Sequence, residues 1–451
     1  MDRKKVLGGA FVLGVGAFIA KVLGAVYRIP LTNNLGSYGI GLYQMVFPVY
    51  TLLLDFSGAG VPSAISRLIA SNSDDKERGA YQFLSSSLRL LFILGGTAMV
   101  FMLLFALPLS KLQGDKNAYL GYVFLSPAVI LFAIISCFRG YFQGLMNMKP
   151  TAISQIIEQG VKLIAGILLV RALSSNLSVA VGGATLAITL SEIGALIYLY
   201  VVYRRKKKKD GLRFNFDKLE HKKRVKSIIK TSIPITLMGT MLPLSHVIDS
   251  FMVVNVIGGY RADATSLYGL LSGVVHTILN LPVAICYGIS SVTIPTVSSA
   301  SGIMDKRKNA KRTLWLTFGV SLLGAIACFI FSPTAIRLFF RGLSVGEKQT
   351  AVNLVRLTAV TVILLSVIQT SNAVLVGMGK LYAPIFSLGS GIALKSILSF
   401  VLMKIPFLNV YGSAIATIAC YFFVCLVNLI LIFYKRASYE SSTTQIRRSI
   451  G

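Results

Sequence analysis

The chain has 451 residues, 55% of them hydrophobic and only 14% charged, with a formal net charge of +29 and a mean hydropathy of +0.73. Soluble domains are about 45–50% apolar and about 25% charged, so this composition excludes one and requires membrane-crossing helices. The charge alone would suit a nucleic-acid binder, but it is gathered in short loops between apolar runs, the positive-inside pattern of a multi-pass membrane protein.

Twelve apolar spans are predicted in chain order, at 6–28, 40–69, 86–109, 119–146, 151–172, 178–203, 229–256, 266–299, 313–338, 350–378, 383–404 and 410–434. At a rise of about 1.5 Å per residue each can cross ~30 Å of hydrocarbon. The first follows MDRKK and lacks a small-residue cleavage site, so it reads as a retained helix and not as a signal peptide. Basic residues mark every second loop: the N-terminus, 76–78, Lys149, 204–230, 306–312, Lys380 and Lys435–Arg436. Arg337, Arg341 and Lys348 partly break the alternation. Both termini are therefore expected in the cytoplasm, with the chain in the plasma membrane.

The 204–230 loop holds thirteen Lys or Arg against three acids and separates six spans from six. Expected units are a lobe at 1–203, a basic cytoplasmic loop at 204–228, a second lobe at 229–434 and a polar tail at 435–451. An offset of 233 relates Pro62 to Pro295, Gly144 to Gly377 and Lys162 to Lys395. Both halves open with the same sense, so the pattern predicts a parallel duplication about an axis along the membrane normal.

Ionisable residues inside spans carry the functional signal, because a charge at the bilayer centre costs about 2.5–3.5 kcal/mol on insertion scales. Lys162 and Lys395 fall near the middle of their spans, and Lys21 and Arg28 lie two turns apart on the first helix. Four bases facing one cavity would suit an anionic substrate. Blander roles stay open: Arg28, Arg67 and Arg139 near helix ends can snorkel, and Glu158 precedes Lys162 by one helical turn, an ion-pair spacing. The buried acids Asp55, Glu158, Glu192 and Asp249 can bind H+ or Na+ for coupling or merely neutralise a base. His276 reads as a packed histidine before a proton relay.

Other chemistry is not signalled. No Walker-type glycine loop precedes a Lys-Ser/Thr pair, and the glycines of Gly8–Gly16 lie within a span. The five cysteines all fall in apolar segments and read as small hydrophobes. No His–carboxylate set has metal-ligand spacing. The chain reads as a transporter and not an enzyme, with no metal and no cofactor beyond a coupling ion.

Four segments, AKVLGAVYRIPL (Ala20–Leu31), GVPSAISRLIA (Gly60–Ala70), FRGYFQGLMNMKPTAISQIIEQ (Phe138–Gln159) and IPITLMGTMLPLSHVIDSFMV (Ile233–Val253), give the chain a resemblance to a known family. It resembles the stage V sporulation protein B family of polysaccharide-type transporters, in the superfamily of multidrug extrusion carriers and lipid II flippases. The resemblance implies an all-α polytopic fold of about twelve helices, in two six-helix lobes forming a V around a central cavity. It implies alternating-access export of undecaprenyl-pyrophosphate-linked cell-wall or spore-cortex precursors, with polyprenyl-linked glycan, membrane lipid and wall-synthesis enzymes as partners. Lys21 and Arg28 match basic positions of the lipid II flippases. Thr277 and Asp55 stand where that group carries arginines. The expected headgroup site is Lys21, Arg28, Lys162 and Lys395, with Asp55, Asp249 and Glu158 as candidate ion-coupling residues. The alternatives are an organic-cation antiporter, which needs an acidic and aromatic cavity, and a non-transporting scaffold for wall synthesis.

Overall fold

A computed structural model describes residues 3–71, 76–210, 218–300 and 302–434. The polar tail 435–451 and the middle of the basic loop, 211–217, lie outside the described residues. Among those described there is no strand. The helices in chain order are α1 (Arg3–Leu54), α2 (Val61–Ser71), α3 (Lys76–Leu104), α4 (Ala106–Leu112), α5 (Tyr119–Gly144), α6 (Lys149–Ala172), α7 (Leu177–Asp210) and α8 (Lys218–Gly258), then α9 (Ala264–Tyr268), α10 (His276–Ser298), α11 (Ile303–Phe339), α12 (Val345–Thr358), α13 (Val360–Gly377), α14 (Ala383–Met403) and α15 (Asn409–Phe433).

Eleven helical stretches are long and apolar enough to cross a membrane, and the first, Gly14–Ala70, has 57 residues. That length is about 85 Å at 1.5 Å per residue, enough for two crossings. The turn-round is at Gly36, whose φ of 67° and ψ of −175° lie outside any helix. Only glycine takes such a backbone without steric cost. The stretch therefore holds the first two of the twelve expected spans. The other expected spans are each met by a helix, with two breaks that apolar run length does not foretell. The third span is cut at Phe105, where φ −94° and ψ 9° start α4, and the tenth is divided at Ala359 into α12 and α13.

Two lobes result. In the first, α3, α5, α6 and α7 pack around the α1–α2 segment, and in the second α10, α11, α13, α14 and α15 pack together. The lobes meet at the end of the molecule opposite the basic loops. There the backbones of α1 and the α9–α10 segment touch: a Cβ on Gly41 would lie 2.1 Å from the Thr265 carbonyl, and one on Gly269 would lie 2.1 Å from the Ser37 carbonyl. Gln44 donates to the Ser272 carbonyl (2.8 Å) and Tyr268 donates to the Gln44 carbonyl (3.2 Å). Gln113 donates to Ser250 Oγ (2.8 Å) and to the Met45 carbonyl (2.9 Å) while accepting from Tyr122 (2.6 Å). Asp115 accepts from Tyr38 (2.8 Å) and Thr265 (3.1 Å), and Ser37 hydrogen-bonds Glu347. Every partner is buried or half-buried, so these bonds are shielded from competing water.

Towards the basic end the lobes diverge, and α8 is the strap between them. Its first half lies on the first lobe, with Arg224 donating to Gln82 (2.8 Å) and His221 bonded to Ser86 Oγ (3.0 Å). Its second half lies against α14. Pro234 and Pro243 sit between the two halves; a proline within a helix removes a backbone hydrogen bond and favours a bend. The structure is thus a V, sealed at one end and open at the basic one.

A bulky side chain at the Gly269–Ser37 contact must push the sealed end apart, at a cost of about 1–3 kcal/mol for overpacking. Gly269→Val is expected to raise labelling of Ser272→Cys by a water-soluble maleimide, relative to Ser272→Cys alone. The five natural cysteines are buried and give little background. Unchanged labelling would show that the glycine contact does not hold the seal.

Candidate functional site in the inter-lobe cleft

Each candidate base meets a different environment. Lys21 is exposed on α1, and its Nζ stands 3.4 Å from the ring centroid of Tyr287 on α10, a cation–π contact across the two lobes. Beside this seam an open cavity of about 620 Å³ runs between α1, α10 and α11, with Phe18, Val22, Leu281, Ile285, Leu323 and Phe331 in its apolar walls. Arg28, one helical face further along α1, is half-buried with its guanidinium 5.9 Å from the Phe47 ring. Lys162 on α6 is half-buried, 5.6 Å from the Tyr27 ring. Cation–π contacts leave a cation's hydrogen-bonding capacity free for a ligand.

The remaining bases are committed. Arg139 does not snorkel. It is buried, and it donates to Glu158 Oε2 (2.8 Å) and Ser154 Oγ (3.1 Å). Glu158 therefore pairs across helices with Arg139, not along its own helix with Lys162, and Gln159 donates to its other oxygen (2.9 Å). The helical spacing made Lys162 a candidate partner, but a fork-shaped guanidinium fixed by a second hydrogen bond holds a carboxylate better than a flexible ammonium. Among the described residues no carboxylate lies within ion-pair distance of Lys162.

Lys395 differs from its duplicate in the same way. Its Nζ donates to Asp249 Oδ2 at 2.5 Å and to Ser245 Oγ at 3.0 Å. Side-chain exposure is 4% for the lysine and 11% for the aspartate, so the pair lies within the second lobe. Lys395, expected at the headgroup site, is thus engaged by Asp249: α8 supplies the counter-charge that α14 itself lacks. Of the other acids, Asp55 is half-buried on a one-turn π-helix, Asp55–Ala59, facing Gly239 of α8. Glu192 is buried, accepts a long 3.4 Å bond from Tyr50 on one oxygen, and has no partner on the other. No group of three metal-ligating side chains occurs among the described residues.

Two further cleft residues come from the second lobe. His246 on α8 and His276 on α10 face each other with ring centroids 5.7 Å apart. His276 was weighed from sequence as a packing residue, and His246 carried no sequence signal beyond being a histidine in an apolar helix. The spacing of 30 residues says nothing of their contact, which the antiparallel turn between α8 and α10 creates.

The sequence profile of the polysaccharide biosynthesis protein family matches residues 6–301. The lipid II flippase MurJ of Bacillus subtilis is 27% identical over 474 residues, covering 99% of this chain and 85% of that protein. Stage V sporulation protein B of the same organism is 28% identical over 447 residues, covering 95% and 83%. Among solved structures, the inward-facing conformation of a multidrug resistance MATE family transporter superposes with a TM-score of 0.73 at 16% identity, covering 94% of this chain and 97% of the other. An outward-facing MATE conformation gives 0.70 at 18% identity, covering 94% of each. At those identities the likeness is one of fold: two lobes of packed helices.

Removing one partner of a buried ion pair costs about 3–5 kcal/mol, while replacing both by apolar groups is often neutral. Lys395→Leu is therefore expected to lower the thermal midpoint strongly and Lys395→Leu/Asp249→Leu to restore most of it, whereas Lys162→Leu has little effect. A large loss in Lys162→Leu, measured by fluorescence-detected melting, would contradict the division into paired and unpaired lysines.

Proposed function

The chain belongs to the polysaccharide biosynthesis protein family, and on that premise we propose that it moves polyprenyl-pyrophosphate-linked glycan precursors across the plasma membrane by alternating access. The observation that carries this reading is the pair Arg28 and Lys162, two cations on the wall of the cleft with no carboxylate partner. A pyrophosphate diester carries two negative charges and cannot enter hydrocarbon bare. Arg28 and Lys162 would replace its water with charge-assisted hydrogen bonds. Lys21 would receive the headgroup at the seam between α1 and α10, and the apolar cavity beside it would hold the prenyl tail. With the basic end in the cytoplasm, the cleft is loaded from inside. Parting the Gly41–Gly269 contact and closing the basic end would then present the headgroup outside. The likeness to a lipid II flippase and to a sporulation protein supports a peptidoglycan or spore-cortex precursor as cargo.

Of the acids considered for ion coupling, Asp249 and Glu158 are held by Lys395 and Arg139. That leaves Asp55 and the buried Glu192 as candidate sites for H+ or Na+. The same pairing weakens the organic-cation reading, since two of the four acids such a carrier could use are held by Arg139 and Lys395.

Hydrogen bonds to charged groups contribute about 1.5–3 kcal/mol each, and 1.4 kcal/mol is roughly tenfold. In liposomes, transbilayer movement of a fluorescent undecaprenyl-pyrophosphoryl sugar is expected, and Arg28→Ala/Lys162→Ala should slow it more than about a hundredfold. Movement that survives in the double variant would sink the site assignment. No movement by the parent under any ion gradient would favour the scaffold.

A further inference from the structure

The first lobe supplies two cations to the cleft, yet the lysine related to Lys162 by duplication is turned away from it. The second lobe's wall at that level is made by His246 and His276. We propose that these two histidines are the second lobe's half of the headgroup site and bind the pyrophosphate diester as imidazolium groups, so that each substrate bound brings protons with it. The inference rests on the cargo class proposed above and adds its second-lobe ligands and its proton stoichiometry.

Three observations carry it. First, neither ring is sealed in: the His246 side chain is 37% exposed although its α8 neighbours Ser245 and Asp249 are buried, and His276 is half-buried. Second, the rings are a pair, 5.7 Å between centroids, a separation at which both can donate to one bridged diphosphate. Third, both rings line a partly enclosed recess of about 50 Å³, in which Asn280, Thr358, Thr361 and Thr417 stand among apolar side chains. A recess of that size with several polar side chains can hold water, a route for protons to the imidazole nitrogens.

The charges around the pair decide when it is protonated. Asp249 reaches His246 at only 4.0 Å and is already bonded to Lys395 at 2.5 Å. Lys395 on α14 and Arg28 on α1 act on both rings as like charges. Tyr421 of α15 lines the same recess as the two rings. With the cleft empty, two cations oppose a charge on either imidazole, and Asp249, shared with Lys395, offsets them only in part. A dianionic headgroup reverses that field and supplies an acceptor for each N–H. Histidine is the side chain whose charge such a change moves across neutral pH.

The sign follows by linkage. If the bound state holds the protons more tightly, binding gains strength as pH falls and loses it as pH rises through the bound-state titration, by about tenfold per pH unit for each proton taken up. Histidines that only pack give no such slope.

The test is isothermal calorimetry of the purified full chain in nanodiscs, with a short-chain prenyl-pyrophosphoryl-N-acetylglucosamine. This diester stays fully ionised from pH 5.5 to 8.5, so any titration belongs to the protein. Measured at one pH in buffers of different ionisation enthalpy, the parent should take up between one and two protons per ligand bound. His246→Gln/His276→Gln should bind more weakly, with uptake near zero and affinity flat with pH. The parent measurement stands even where the variant does not fold, and His246→Gln alone should then lose part of the uptake. Binding without proton uptake overturns this inference and leaves the cargo reading intact. Uptake that persists in the double variant also overturns it, and places the protons elsewhere, with Asp55 or Glu192 the next to test. No binding at any pH overturns both.

Discussion

A charge inside a membrane protein must either be paired or face water, and the architecture of this chain follows from how that constraint is met. Arg139 and Lys395 are paired, each to a carboxylate on another helix, and each pair ties helices of one lobe together. Arg28 and Lys162 are not paired, and both sit on the cleft side of the first lobe. An unpaired cation at this depth is tolerable only because the cleft is open to solvent, and it makes the cleft attractive to an anion. Stability and function are thus divided among bases of the same chemical type by their partners alone.

The second dependence is geometric. The lobes touch at one end through backbone, because Gly41 and Gly269 present no side chain at the contact. Around it, the buried bonds of Gln44, Gln113 and Asp115 need all their partners in place at once. Such a seal is bistable: opened, it exposes several polar groups that water can satisfy; half-opened, it strands them. A carrier that must be closed at one end or the other, and not leak at both, is served by that property. The helix α8, lying on one lobe with its first half and on the other with its second, lets the lobes rock without losing their connection.

The membrane topology was legible because its cause is local: run length and loop charge are properties of adjacent residues. The pairings were not. Glu158 and Lys162 have the right helical interval, but Arg139, nineteen residues away, takes the carboxylate. Lys395 has no acid in its own helix, and its partner Asp249 is brought from 146 residues away by tertiary packing. The offset of 233 between Lys162 and Lys395 carried no information on partner, because α6 and α14 have different neighbours. His246 was invisible for the same reason: its meaning comes from His276 across a helix crossing. Breaks at Phe105 and Ala359 and the π-turn at Asp55 arise where packing overrides apolar continuity, which hydropathy does not register.

The central claim is that the cleft's uncommitted cations, and not every intramembrane base, meet the substrate. Its most direct test is a cryo-electron microscopy structure of the full chain in nanodiscs with a bound lipid-linked pyrophosphate. The account places diphosphate density between Arg28 and Lys162, with the Lys395–Asp249 bond intact. Density against Lys395, with Asp249 drawn away, would contradict it.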